Sequence, residues 1–123
     1  MIETEWAVEK QIRHFAMLND AHDHDGLAAM FTDDGSFARP SDPDTPIIGK
    51  EELRAFFRDR PKRTTRHVMS NVLVEILSEN EVRAHSYVLL YMPDKVLVGD
   101  FYDRLVRRDG CWLFAERRGT LAF

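Results

Sequence analysis

Val82-Arg-Ala-His-Ser-Tyr-Val-Leu-Leu-Tyr-Met92 and Val96-Leu-Val-Gly-Asp-Phe-Tyr-Asp-Arg-Leu-Val-Arg-Arg108 decide the fold of this chain. Both are rich in β-branched and aromatic residues. The first alternates, with Val82, Ala84, Ser86, Val88 and Leu90 on one face and Arg83, His85, Tyr87 and Leu89 on the other. Pro93-Asp94 between them reads as a hairpin turn. Two further β-rich runs flank the pair, Thr64 to Leu77 before it and Cys111 to Leu121 after it, with breaks at Ser78-Glu-Asn80 and Arg108-Asp-Gly110. The second half of the chain is therefore an antiparallel meander of long strands.

Upstream the period changes. From Glu3 to Asn19, Trp6, Val8, Ile12, Phe15, Ala16 and Leu18 recur at helical spacing. After Asp20-Ala-His-Asp-His-Asp-Gly26, either Asp23 or Asp25 can cap a second short helix through Leu27, Ala28, Met30 and Phe31, ended by Asp33-Asp34-Gly35. Ser36 to Arg39 reads as a short strand, and Pro40-Ser-Asp-Pro-Asp-Thr-Pro46 as an irregular loop. Gly49 to Arg58 is a third helix, acids near its start and a base near its end. Helices first and meander second mean α+β, with the helices on one face of the sheet. Strands this long must bend. The expectation is a cone-shaped, strongly curved antiparallel sheet with N-terminal helices in its hollow, a cystatin-like α+β barrel with an apolar cavity, forming one domain over residues 1–123.

Composition narrows the partners. The 123 residues carry a formal net charge of −4 with 31% charged residues, which leaves no basic footprint for nucleic acid. The run Arg58, Arg60, Lys62, Arg63, Arg66 is the exception, and it reads as a solvated rim between two elements. The single cysteine, Cys111, excludes an intramolecular disulfide and suits a reducing compartment. No apolar stretch reaches membrane-spanning length, and Met1-Ile-Glu-Thr-Glu lacks a signal-peptide charge pattern, so a cytoplasmic location is expected.

Four passages carry a family resemblance. Asn19-Asp-Ala-His-Asp-His-Asp-Gly-Leu-Ala-Ala-Met-Phe-Thr-Asp-Asp-Gly35 resembles the helix-to-strand passage of the SnoaL-like branch of the nuclear transport factor 2-like superfamily. Ile48-Gly-Lys-Glu-Glu-Leu53 is similar to its third-helix start, Thr64-Thr-Arg-His-Val-Met-Ser-Asn-Val-Leu-Val-Glu75 to its histidine-bearing strand, and Gly99 to Arg118 to its closing hairpin. The likeness spans nearly the whole chain. It implies the fold, but the superfamily hosts dehydratases, isomerases, cyclases, dehydrochlorinases and non-enzymatic binders, so it does not choose a function. Within it, Asp20 and His67 fall where the scytalone dehydratase and hexachlorocyclohexane dehydrochlorinase group carries a pocket aspartate and histidine, and Arg117 where that group carries an arginine. Phe15 and Arg39 stand where ketosteroid isomerases carry a tyrosine and a catalytic aspartate, which disfavours that isomerisation.

The chemistry implied is elimination. A base poised near neutral pH takes a proton beside an electron sink, and a carboxylate on the far imidazole nitrogen fixes the tautomer. Asp20 and His67 would form that dyad, with Arg117 stabilising a developing anion. The bland alternative makes Asp20 a helix cap and His67 a satisfied histidine at a strand start. Pocket walls are expected from Phe15, Arg39, Met69, Val88, Leu90, Phe101 and Leu113. His22, Asp23, His24 and Asp25 offer metal-ligand types, but they splay from one turn and no second cluster completes a shell, so no metal is expected. No phosphate-cradling glycine motif occurs, so no nucleotide or flavin cofactor is expected either. His85 and Tyr87 belong on the convex face as contacts of a homodimer, Trp112 and Phe114 in the core or the dimer interface, and His14 in solvent. The two functions in view are a cofactor-independent lyase or dehydratase acting on a small hydrophobic, cyclic molecule, and a non-catalytic binding or partner-subunit module of the same fold. A polyketide-cyclase-like enzyme is the third.

Overall fold

In a computed structural model describing residues 2–123, three helices pack on one curved sheet. The elements run α1 (Ile2–Asp20), α2 (His24–Ala29), β1 (Phe31–Ala38), β2 (Ile47–Ile48), α3 (Lys50–Asp59), β3 (Arg66–Ser78), β4 (Glu81–Met92), β5 (Lys95–Arg108) and β6 (Cys111–Leu121). The spatial strand order is β2-β1-β6-β5-β4-β3. All neighbours are antiparallel except β1 and β6, so the sheet is mixed and unclosed. The meander of β3 to β6 follows from the alternation and turns of the sequence. The parallel pairing of β1 does not, because it joins strands far apart in the chain.

The first strand also starts earlier than its composition suggests. Asp33-Asp34-Gly35 lies inside β1 rather than ending α2, which stops at a cap on Met30. Local polarity misleads there because Asp33 and Asp34 face solvent while Phe31, Thr32 and Gly35 are buried. Asp23 is the α2 cap, its Oδ1 accepting the Gly26 N–H at 2.9 Å.

Curvature is built with bulges, each of which re-aims the side chains beyond it. In β3 the register with β4 shifts between Ser70 and Leu73, where Asn71 takes a φ of 52°. In β6 the register with β5 shifts at Ala115, since Leu105 pairs with Phe114 and Arg104 with Glu116. Trp112 and Phe114 therefore point into the core on one side of the bulge, and Arg117 and Gly119 on the other. Leu113 is turned away from the hollow, against the expectation that it would wall the cavity.

The core is aromatic. Phe15 stands with its ring centroid 6.0 Å from Phe31, 5.7 Å from Phe37, 6.2 Å from Phe57 and 5.7 Å from Phe114. Such edge-on and tilted pairs add to the burial of the rings themselves. At Gly99 a Cβ would come within 2.4 Å of the Thr120 carbonyl oxygen, so the backbones of β5 and β6 close on each other only because no side chain intervenes there.

Candidate active site

The last turn of α1 and the first residues of β3 meet at the mouth of the hollow. Val8, Ile12, Phe15, Ala16 and Asn19 form the buried stripe of α1, which pins the end of the helix against the sheet. Asp20, one residue on, faces β3. Its carboxylate accepts the Thr65 hydroxyl at 2.9 Å, the His67 backbone N–H at 3.0 Å and His67 Nδ1 at 2.6 Å. Both side chains are nearly enclosed, with 11% of Asp20 and 15% of His67 exposed. A carboxylate so bonded keeps the ring proton on Nδ1 and leaves Nε2 with its lone pair.

Asn19 holds the other side of the ring. Its Oδ1 accepts a hydrogen bond from Arg60 Nη2, which turns the amide nitrogen toward His67 Nε2 at 3.4 Å. Burial lowers the His67 pKa from its usual 6.5. Asp20 opposes that through its hydrogen bond and charge, while the charges of Arg60 and Arg117 reinforce it. The net direction is downward, so the imidazole is neutral at neutral pH.

A cavity of about 230 Å³ opens beside the dyad. Its wall includes Asn19, Phe37, His67, Val88, Leu90, Leu97 and Phe101, and its rim Arg39, Arg60, Arg63 and Lys95. Of the expected wall residues, Arg39, Val88, Leu90 and Phe101 line it. Phe15 and Met69 do not: both are sealed in the core, 2% and 8% exposed. A single helical or strand period tells the inward face from the outward one, but not which inward residues reach the open space.

Arg117 is also placed differently from a ligand-contacting group. It is 1% exposed, its Nη1 is 3.1 Å from Asp103 Oδ2, and its guanidinium lies against the rings of Phe15, Phe101 and Phe114 at 4.6, 3.9 and 4.8 Å. It stands behind Phe101 rather than on the cavity surface.

Of the histidine-rich turn, His22 borders the cavity, while Asp23 and Asp25 are engaged elsewhere. His22 Nε2 lies 2.8 Å from the Arg63 carbonyl oxygen, Asp23 caps α2, and Asp25 accepts from Arg54 at 2.7 Å. Among the described residues no three His, Cys, Asp or Glu side chains converge as metal ligands. Among the described residues no helix is long and apolar enough to cross a membrane.

Two features went unseen in the sequence. Asn19 read only as the end of the first helix, yet it bridges the base and Arg60. Arg60 and Arg63, read as a solvated rim, border the cavity, whereas Arg58 bonds Asp59 at 2.8 Å and Arg66 bonds the Thr65 carbonyl at 2.8 Å. The signal available was Pro61, which halts α3 and turns the chain across the open end of the sheet.

No curated protein matches the chain in sequence. The SnoaL-like domain profile matches residues 1–118. Among solved structures, a candidate scytalone dehydratase of Novosphingobium aromaticivorans DSM 12444 superposes with a TM-score of 0.87 at 22% identity, over 99% of this chain and 86% of that one. Hexachlorocyclohexane dehydrochlorinase LinA-type3 of Novosphingobium barchaimii LL02 gives 0.84 at 18% identity, over 99% and 88%. A Mycobacterium tuberculosis protein of unknown function gives 0.87 at 22%, over 98% and 77%. At these identities the likeness is one of fold.

Proposed function

Because this chain belongs to the SnoaL-like domain family, we propose that its cavity carries out a cofactor-independent, lyase-type elimination on a small, largely apolar and cyclic molecule. The observation that carries this reading is the 2.6 Å contact between Asp20 and His67 Nδ1, beside a cavity that His67 itself lines. His67 Nε2 takes a proton from a carbon, the C–H electron pair becomes the new double bond, and the leaving group departs with the pair of its own bond. Asp20 keeps the ring in the accepting tautomer and stabilises the imidazolium as it forms. Asn19 competes only weakly for His67 Nε2, its 3.4 Å contact being long for a hydrogen bond. Arg117 acts by its field through the Phe101 ring, opposing charge build-up on the base and favouring it on the leaving group. Val88, Leu90, Leu97 and Phe101 supply the apolar wall.

The reading is tested with a panel of cyclic compounds bearing a leaving group next to an acidic C–H, hexachlorocyclohexane among them, followed by halide release or the absorbance of the new double bond. Because burial lowers the His67 pKa, the acid limb of kcat/KM should fall below pH 6.5. The sign follows from the base being active only when neutral. An acid limb above 6.5, or saturable binding of panel members with turnover of none, would leave the cavity a binding site only.

Assembly follows from the outer face. Val68, Leu73, Tyr87, Tyr91 and Tyr102 are exposed there, with His85 stacked on Tyr102 at 4.5 Å and bonded to Asp100 at 2.8 Å. A contiguous apolar face on a small domain is normally covered, and a second copy of the chain is the occupant proposed. Light scattering at micromolar concentration should give twice the 14.3 kDa of one chain; the mass of one chain would refute it.

A further inference from the structure

The rim of the cavity is cationic although the protein as a whole is acidic. Arg39, Arg60, Arg63 and Lys95 border it and no aspartate or glutamate does, in a chain of net charge −4. Asp20 lies behind His67, its oxygens already accepting from Thr65, the His67 backbone and the ring. The rim charges are poorly compensated among the described residues. Arg39 has a carboxylate only at 3.9 Å, from Asp42, and no ion pair joins Arg63 or Lys95 to any acid. Arg60 stacks on Phe57 at 5.2 Å and gives one N–H to Asn19, but its Nε–H is buried without an acceptor. A buried donor left unpaired is costly, and more so when it is charged. Like-charged side chains gathered at an open mouth focus a field that draws anions in.

We propose that the molecule this cavity takes is an amphipathic anion, an apolar ring or chain lying on Val88, Leu90, Leu97 and Phe101 with a carboxylate or comparable acidic group received by Arg60 and its neighbours Arg39, Arg63 and Lys95. The proposal rests on the reading of the cavity as a substrate site and adds the charge of the substrate to it. Arg60 is the anchor because it is the innermost of the four, partly buried and joined through Asn19 to His67 Nε2. An acid group held there would set the adjoining carbon chain against the base. Burial, together with the Arg63 and Arg39 charges, lowers the Arg60 pKa, a penalty that a bound anion would relieve.

The test is binding, measured by calorimetry on the whole chain, of benzoate, cyclohexanecarboxylate and 2-naphthoate, each against its neutral amide. At least one acid should bind roughly tenfold or more tightly than its amide at low salt, as a charge-assisted bond to arginine predicts. That advantage should shrink as ionic strength rises, while amide affinity stays flat. Arg60→Gln should remove most of the difference. Arg63→Gln and Lys95→Gln, at exposed positions that do not threaten folding, should each remove part of it. Failure of every acid to outbind its amide overturns the proposal, and so does an advantage unchanged in all three variants. The outcome is separable from catalysis. A carboxylate preference without turnover of any compound retains this proposal and removes the lyase reading; turnover confined to neutral compounds, with no acid preference, does the reverse.

Discussion

His67→Gln should lower turnover by about 10²–10⁴, the usual worth of a positioned general base, while the protein stays folded. Glutamine keeps much of the size and polar character of the ring but offers no nitrogen able to take a proton from carbon. Asp20→Asn should also cost heavily, for a different reason. The carboxylate now receives three donors, from the Thr65 hydroxyl, the His67 backbone and His67 Nδ1. An amide can receive some of these, but its NH2 group can also donate to the ring and hold it in the wrong tautomer, and it cannot stabilise an imidazolium. The two changes together should cost little more than the worse of them, because the pair acts as one unit. Ligand affinity should move much less than rate, since the apolar wall is untouched. The measurement is turnover and melting temperature side by side for the wild type, both single variants and the double. Wild-type turnover in folded His67→Gln would end the catalytic reading. Loss of turnover that merely follows the folded fraction would show Asp20 and His67 to be a structural tie between α1 and β3.

The second large effect belongs to Arg117 and is one of stability. Its guanidinium and the Asp103 carboxylate are both buried, and they meet through a single 3.1 Å contact. Asp103 Oδ1, Arg117 Nε, Arg117 Nη2 and the nearby Ser86 hydroxyl have no hydrogen-bond partner among the described residues. A pair satisfied this sparsely gives no large net stabilisation, yet removing one member leaves a buried charge alone. Arg117→Met should therefore destabilise the fold by about 3–5 kcal/mol, a drop in melting temperature of roughly 10–20 °C for a domain of this size. Replacing both members, in Asp103→Asn with Arg117→Met, should recover much of that loss.

The deficit of Arg117→Met also carries a pH signature. Burial raises the Asp103 pKa from 3.8 to about 6, against the pull of the Arg117 and His85 charges. A carboxylate whose pKa is higher in the folded state than in the unfolded one favours folding when protonated. Its cost is absent below the unfolded pKa and complete above the folded one. Without Arg117 the folded pKa rises further. The deficit should therefore be greatest near pH 8 and shrink by pH 5, where Asp103 is neutral with or without its partner. A deficit equal at both pH values, or a variant as stable as the wild type, would contradict this account of the pair.

Between α1 and the sheet, the sequence by itself determined a good deal. The stripe of Val8, Ile12, Phe15 and Ala16 specified a helix and its inner face, because a period of 3.6 leaves only one side apolar. The alternation from Val82 to Leu90 specified which face of β4 looks inward, since a strand has only two. The resemblance brought Asp20 and His67 to attention as a pair, and nothing in their spacing of 47 residues does so. What tertiary structure decided lies where local rules end. Bulges at Asn71 and Ala115 reversed strand parity, which sent Leu113 outward and Arg117 inward, because one extra residue exchanges the two faces. The parallel seat of β1 on β6 joins segments about two thirds of the chain apart, with Phe31 beside Phe114 and Ala38 beside Arg118. Phe15, Met69 and Arg117 face the interior as their patterns allow, but whether an inward side chain meets open space or other side chains depends on how every element packs at once. The same packing made a rim of cations out of residues that, in sequence, only looked solvated. Arg39, the neighbours Arg60 and Arg63, and Lys95 come from three separate segments, and their charges acquire a common target only when the curved sheet brings those segments around one opening.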